Sequence, residues 1–290
     1  MYKDSHKRTL TFLGIRYFVI KASPSLYPLK DGKEPKDLFI EGIKREEKIK
    51  YRKRLYTTKI LNETKDKRYI VGLFLKRTET HIIKIEPELE EQDIPNWEKL
   101  LFVIDTNEQI IAIEHNTQIA PPKSIKKVIS TITNKVAAEY GYEINLSFLV
   151  KSIAFWEIIN EAQGLYQIAF SLHAPNLFGG SKKANEWLRE LKKRHNITRY
   201  SFDLRNEKGR LYYEKDELES YRDYADSGGG EWTIGIFDKE KRKRKYKSID
   251  HIQKKSIELD NSLLKNITKN VMNLTGVLIR LLKKFNTNSK

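Results

Sequence analysis

The chain of 290 residues contains no cysteine. This absence excludes disulfide bonds, thiolate catalysis and any zinc or iron–sulfur site built from cysteine ligands. It is typical of cytoplasmic proteins, and a cytoplasmic location is the expectation from the sequence. The six histidines are scattered along the chain, so no metal centre is predicted.

Long apolar runs are also absent. No stretch reaches the roughly 18 apolar residues of a membrane span, and the opening residues MYKDSHKRTLTFLG lack the apolar region of a signal peptide. The sequence contains no P-loop, no GxGxxG after a strand and no HExxH motif. We therefore predict no catalytic residues and no cofactor. The sequence does not decide whether the protein is an enzyme, although a binding function is favoured.

Positive charge is abundant. Lysine and arginine number 55 against 39 acidic residues, which gives a formal net charge of +16. A charge this large favours polyanionic partners, with nucleic acid first and an anionic membrane surface second. The alternative is an AT-rich genome, which raises the lysine, asparagine and isoleucine content together. The charge is clustered, however, and the clusters need a separate explanation.

The apolar periodicity predicts an α+β protein with mixed or antiparallel sheets. Thr9–Ile20 is typical of a central strand, and Leu100–Ile104 with Gln109–Glu114 is typical of a hairpin. Pro121–Pro122 precedes a helix and is the best domain boundary. Three parts are predicted: a β-rich N-terminal domain at 1–118, an α/β domain with a basic helix and a basic hairpin at 119–249, and a long C-terminal helix at 250–290.

Leu165–Arg205 is the most strongly patterned stretch. Tyr166, Ile168, Phe170 and Leu172 alternate with polar residues, as in a half-buried strand. A helix is predicted from Ser181 to about His195, and a second alternating strand follows with Tyr200, Phe202 and Leu204 on one face. The outer surface of the helix is strongly cationic.

Two other basic clusters lie outside this stretch. Residues 239–247 hold seven bases and one acid at a hairpin tip, where self-repulsion is costly without a polyanionic partner; the alternative is a solvated turn. Residues 42–56 interleave bases with Tyr51 and Tyr56, which suits phosphate contact and base stacking. The alternative is an edge strand that lysines protect from aggregation.

Nucleic-acid binding is therefore predicted, and these clusters do not distinguish DNA from RNA. The helix and the hairpin form one surface only if the fold places them side by side. Stacking on bases is predicted for Tyr51, Tyr200 or Tyr246. The predicted phosphate contacts come from all three clusters: Lys182, Lys183, Arg189, Lys192, Lys193, Arg194, Lys241, Arg242, Lys243, Arg244, Lys245, Arg52 and Arg54.

The C-terminal region predicts a helix from Asp250 to about Phe285 with an apolar seam that repeats every three and four residues. The seam must be buried, either in a groove of the same chain or against a second copy or another protein partner. Its residues are Leu264, Ile267, Val271, Leu274, Leu278, Leu281 and Phe285.

Two weaker patterns suggest other roles. Asp203, Glu207 and Lys208 approximate the carboxylates and lysine of a metal-dependent nuclease, which is the enzymatic alternative. Asp223–Gly230 is predicted to be a flexible loop. A protein–protein adaptor that works through the C-terminal helix is a third possibility.

The order of elements over roughly residues 100–275, together with the phrases LLFVID and LHAPN, resembles an uncharacterised family of bacterial proteins found near phage-defence genes. More distantly, it is similar to the RexA exclusion sensors of phage lambda. The resemblance implies a dimer that binds DNA without strong sequence preference and acts upstream of an effector. The expected function is thus nonspecific DNA binding by a sensor or subunit of an anti-phage defence system.

Overall fold

The protein is described by a computed structural model that covers residues 7–22, 29, 33–84, 90–174 and 182–286. Within these ranges the chain forms twelve strands and seven α-helices, which confirms the predicted α+β class. No helix in the described ranges is long and apolar enough to cross a membrane.

The elements follow one another in a simple order along the chain. The strands are β1 Lys7–Lys21, β2 Ile49–Tyr51, β3 Arg54–Glu63, β4 Tyr69–Lys84, β5 Glu90–Asp105, β6 Ile110–Glu114, β7 Tyr142–Phe148, β8 Gly164–His173, β9 Arg199–Arg205, β10 Gly230–Phe237, β11 Lys243–Lys247 and β12 Lys254–Asp260. The helices are α1 Asp37–Lys44, α2 Pro122–Glu139, α3 Ala154–Asn160, α4 Lys182–His195, α5 Lys215–Tyr224, α6 Asn261–Lys265 and α7 Val271–Asn286.

The first sheet has eight antiparallel strands: seven lie in the order β12-β1-β6-β5-β4-β3-β2, and the eighth, β7, pairs with β1. The long strand β1 pairs with β12 along its first half and with β7 along its second half. The predicted hairpin of β5 and β6 is confirmed, with Asp105 at its tip accepting hydrogen bonds from the backbone of Asn107 and Glu108. This sheet is the main scaffold of the molecule.

Both faces of the first sheet are covered. Helices α1 and α2 pack on one face through residues such as Phe39, Ile125 and Ile132, which are fully or almost fully buried. On the other face α7 buries Leu274 and Leu278 against strand residues from the same chain. The apolar seam is therefore an intramolecular contact, and the prediction of a dimer or partner contact through it has no support.

The C-terminal region also corrects a boundary. The predicted helix from Asp250 is wrong in its first part, because residues 254–260 form β12 and pair with the edge of β1. Two helices follow, and the second, α7, confirms the C-terminal helix over 16 residues. Every second side chain of β12 faces the protein interior: Lys255 and Ile257 are half-buried, and Leu259 is buried. Pairing with β1 satisfies the backbone groups of this strand.

The second sheet has four antiparallel strands in the order β11-β10-β8-β9. Helices α3, α4 and α5 cover one face, where Phe155, Phe170 and Trp232 pack with Leu188 and Leu218. The predicted domain boundary at residue 118 does not separate the two sheets, because α2, β7 and β12, which follow it, belong to the first sheet and its core. The second sheet is an insertion between β7 and β12.

Residues 223–230 are packed rather than forming the predicted flexible loop. Helix α5 ends at Tyr224, and a π-type turn at Ala225–Gly229 leads directly into β10. Gly228 has φ of +91°, and a Cβ atom there would lie 2.5 Å from the Cβ of Arg16 in β1. The glycine therefore permits close contact between the two sheets.

Polar side chains are buried where the sheets meet. Nε2 of His173 lies 3.0 Å from Oγ of Ser147, and the hydroxyl of Tyr224 donates to the carbonyl of His173 at 2.8 Å. Burial lowers the pKa of His173 to about 3, so its imidazole is neutral. Asp226 accepts a hydrogen bond from the indole N–H of Trp232 at 2.8 Å.

Candidate nucleic-acid interface

The face of the second sheet opposite α3, α4 and α5 carries polar and basic side chains. We call it the open face. It is defined by the outward positions of the four strands and by the residues of the adjoining bulge and turn: Lys243, Lys245 and Lys247 of β11; Glu231, Thr233, Gly235 and Phe237 of β10; Tyr166, Gln167, Ala169 and Ser171 of β8; Arg199, Ser201, Asp203 and Arg205 of β9; and Glu207.

Strand register arranges the open face in rows. One row runs from Lys245 across Gly235 and Gln167 to Arg205. The next runs from Lys247 through Thr233 and Ala169 to Asp203. A third joins Glu231, Ser171 and Ser201. Small side chains form most of the floor, except at Gln167 and at Gly235, which the ring of Tyr166 covers. Both edge strands carry basic side chains, and β9 also carries Asp203.

The two basic edges are separated by three interstrand spacings, or about 14 Å. Lys245 and Lys247 are exposed on β11, and Arg199 and Arg205 are exposed on β9. At the far end of the trough, Glu231 is paired with Lys126 of α2. The result is a shallow trough whose rims are basic.

A bulge adds an aromatic ring to this face. The pairing of β10 with β8 shifts between Gly235 and Ile236, so Tyr166 has no pairing partner in β10 and its ring covers Gly235. Its ring stands 5.5 Å from that of Phe237, and the ammonium group of Lys243 lies 5.1 Å from the Tyr166 ring centroid. The sequence pattern placed Tyr166 with Ile168 in the core, and the bulge moves it to the open face.

The acidic groups of the open face are held by neighbouring donors. Asp203 accepts hydrogen bonds from Arg205 and from the amide of Gln167, and the Arg205 contact lowers the pKa of its carboxyl. Glu207 pairs with Lys243 at 2.6 Å. With Glu231 paired to Lys126, the five bases and these two acids leave a net charge of +3.

The predicted nuclease residues do not form a metal site. Asp203 and Glu207 are each engaged by a base, and in the part of the chain that the structure describes no group of three His, Asp or Glu residues is arranged to hold a metal ion. A lowered pKa also makes Asp203 a poor general base near neutral pH.

Asp238 organises the basic hairpin tip. It accepts hydrogen bonds from the backbone N–H groups of Glu240 and Arg242 and from the guanidinium groups of Arg242 and Arg244. These contacts, the Arg242 backbone first, hold the pKa of the Asp238 carboxyl well below its usual range. Within the described residues, Lys241 and Lys245 have no acidic ion-pair partner. The tip is thus ordered, with part of its charge free.

The basic helix α4 is not part of the open face. Trp187 and Leu188 pack on the helix-covered side of the sheet, beside β9, whereas β11 is the opposite edge. Arg194 pairs with Glu190, and burial lowers the pKa of Lys192. The predicted contacts Arg189, Lys193, Lys182 and Lys183 are on the same helix, and the side chains of the last two are outside the described residues, as is Ser181. The helix and the hairpin are therefore separate basic surfaces.

The third basic cluster lies at the far edge of the first sheet. Arg52 and Lys53 form the tip between β2 and β3, with φ of 46° and 63°. Arg54 and Arg77 line a shallow cavity of about 490 Å³ beside this tip. Arg52 and Arg54 lie at the β2 edge of the first sheet, whereas the open face belongs to the second sheet, so they are not part of it.

The predicted stacking residues are also placed elsewhere. Tyr200 stands edge-on to Trp187 on the helix-covered side, Tyr246 lies near His251, and Tyr51 contacts Arg52. The open face instead carries two rings, Tyr166 and Phe237, and two arginines, Arg199 and Arg205, none of which the sequence analysis predicts as a site residue. The two arginines could have been found, because they alternate with the predicted apolar positions of β9.

Comparison with known protein families identifies a matching family model. The model described as a domain of unknown function, DUF4747, matches residues 33–274. No curated protein matches the chain significantly. The matched region includes the open face and most of both sheets. Because this match spans well over half of the 290 residues, the protein belongs to the DUF4747 family.

Proposed function

We propose that the protein binds DNA without reading its sequence, through the open face of the second sheet. The observation that carries the proposal is the pair of basic rims, with Lys245 and Lys247 on one edge and Arg205 and Arg199 on the other, across a floor of mostly small side chains. A phosphate backbone in the trough would lie within reach of both rims.

The chemistry of the rims favours phosphate over bases. Exposed lysines are flexible point charges that contact phosphates, and such contacts fix position without sequence information. Small residues such as Ala169 and Ser171 allow a strand of nucleic acid to approach the sheet closely, whereas the ring of Tyr166 covers Gly235. Tyr166 and Phe237 provide rings beside Lys243 for sequence-tolerant stacking.

The first prediction concerns two lysines of β11. The double variant Lys245→Gln/Lys247→Gln should bind a DNA duplex or single strand about tenfold more weakly near 0.1 M salt. It should also lower the slope of log affinity against log salt by about 2, since each lost phosphate contact removes nearly one released counterion. Fluorescence anisotropy with labelled DNA measures both quantities.

The matched control is Lys192→Gln/Lys193→Gln in α4, which removes the same charge from the other side of the sheet. Its affinity should stay within about twofold of the unmodified protein. Equal weakening by both double variants would assign the binding to diffuse charge, and an effect of the α4 pair alone would move the interface to that helix. Thermal unfolding of each variant checks that the fold is retained.

A role in anti-phage defence belongs to the same proposal and rests on the resemblance to defence-associated proteins. DNA binding by the open face would then serve as the sensing step. Cells that carry the protein and its neighbouring genes should restrict phage, and the Lys245→Gln/Lys247→Gln variant should lose that restriction in a plaque assay. If the variant restricted phage as well as the unmodified protein, defence would not depend on the open face.

A further inference from the structure

An aromatic groove lies on the helix-covered side of the second sheet, between β9, the residues that precede α5, and helices α4 and α5. It consists of two adjoining cavities of about 500 and 400 Å³. Both are lined by Glu214, Glu217 and Tyr221, so they form one continuous depression. We call it the aromatic groove.

The lining is rich in rings that the protein core does not enclose. Tyr212 is 92% exposed and Leu204 is 42% exposed, although both are large side chains beside a well-packed core. Trp187 and Tyr200 meet edge-on at 4.6 Å on the wall of the groove. The aromatic residues that line it are Trp187, Tyr200, Phe202, Tyr212, Tyr213 and Tyr221.

The charge of the groove is opposite to that of the chain. Among the described residues that line it, the charged ones are Glu214, Asp216 and Glu217, all acidic, in a protein of net charge +16. Carboxylates in the first turn of α5 also favour the helix dipole. The dipole accounts for Asp216 and Glu217 as helix residues, but it gives no reason for the exposed rings around them.

The carboxylate of Glu217 is oriented by a neighbouring tyrosine. The hydroxyl of Tyr221 donates a hydrogen bond to Oε1 of Glu217 at 3.0 Å. Burial, together with this carboxylate, raises the pKa of Tyr221 to about 12, so the hydroxyl keeps its proton at physiological pH. Glu217 is thus fixed against the aromatic wall, with its second oxygen available to a ligand.

We propose that the aromatic groove binds a basic peptide segment of a partner protein. An arginine or lysine of the segment would lie over the rings and pair with Glu214 and Glu217, since cations bind aromatic faces and carboxylates together. Apolar residues of the segment would cover Tyr212 and Leu204. The acidic lining repels phosphate, so the groove is not an extension of the DNA surface.

A second copy of the chain fits less well than a different partner. The most basic segment of this chain is the hairpin tip, whose Arg242 and Arg244 are already held by Asp238. The groove and the open face lie on opposite sides of the second sheet. DNA and a basic partner can therefore bind at the same time.

The test uses a fluorescein-labelled octapeptide of alternating arginine and leucine, with an octapeptide of alternating glutamate and leucine as its acidic counterpart. Anisotropy should show saturable binding of the basic peptide and none of the acidic one. Glu214→Gln/Glu217→Gln should weaken binding about tenfold. The matched control Glu157→Gln/Glu161→Gln, which removes two exposed acids of α3 and the adjoining residue, should stay within about twofold.

A ring variant separates the groove from diffuse charge. Tyr212→Ser should lower the affinity for the basic peptide several-fold, because the substitution removes an exposed ring that the peptide covers. The proposal is overturned if the basic peptide does not bind, if Tyr212→Ser or the Glu214/Glu217 variant binds normally, or if spermine competes as well as unlabelled peptide. A dimer in solution that the Glu214/Glu217 variant dissociates would assign the groove to a second copy and also overturn it.

Discussion

Leu278→Ala is expected to lower the free energy of unfolding by about 2–5 kcal/mol without changing the oligomeric state of the protein. Leu278 is fully buried in α7 against the first sheet of its own chain. Loss of its side chain removes apolar contacts and leaves a cavity. Urea unfolding measures the stability change, and light scattering measures the mass.

The control for this prediction is Met272→Ala in the same helix. Met272 is 72% exposed, so its loss should change the free energy of unfolding by less than about 0.5 kcal/mol. If Leu278→Ala instead converted a dimer into stable monomers with little loss of monomer stability, the α7 seam would be an interface between chains. That result would contradict the intramolecular packing.

Asp226→Asn is expected to stabilise the protein increasingly as the pH rises from about 4 to 8. Burial raises the pKa of Asp226 to about 7 from its ordinary value of 3.8, and the bond from Trp232 and the charge of Arg222 only partly oppose this. Between these two values the unfolded chain releases the proton and the folded protein retains it. The stability contributed by the protonated carboxyl is therefore complete below about pH 4 and is lost by about pH 7.

Asparagine removes this dependence and can still accept the hydrogen bond from Trp232. The advantage of the variant should be near zero at pH 3.5 and on the order of 2–4 kcal/mol at pH 8, at about 1.4 kcal/mol for each unit of pKa change. Chemical denaturation across this pH range measures it, with the pH 3.5 value as an internal reference. A constant difference between the two proteins at every pH would show that Asp226 ionises normally.

Much of the fold could be predicted because several elements have unambiguous periods. The alternation in β1 and β8 and the helical spacing in α2 and α4 led to the right element types, since each buries one face against a core. The apolar seam of α7 was also recognised. A local pattern shows that one face of an element is buried, but not which surface buries it. The sequence therefore leaves intramolecular and intermolecular packing of α7 as alternatives.

The missed features depend on contacts between distant residues. The helix prediction extends back to Asp250 from a seam that begins at Leu264, yet residues 254–260 form a strand because they pair with the edge of β1. Asp223–Gly230 is predicted to be flexible because it ends in three glycines, although one of them, Gly228, lets the two sheets approach. Neither edge pairing nor close approach is encoded in a local window.

The candidate site shows the same limit. Composition located the basic clusters, but strand order decided which of them share a surface. Lys245 and Arg205 are 40 positions apart in sequence and meet in one row only because β10 and β8 lie between them. The bulge that moves Tyr166 to the open face is likewise invisible in the alternation of β8.

The most direct test of the DNA-binding account is the salt dependence of binding, measured in parallel for double-stranded DNA, single-stranded DNA and RNA. The five bases of the open face predict that log affinity falls linearly with log salt, with a slope of roughly −3 to −5 for DNA and little dependence on sequence. Absence of binding at low salt, or an affinity that does not change with salt, would contradict a DNA-binding role for the open face.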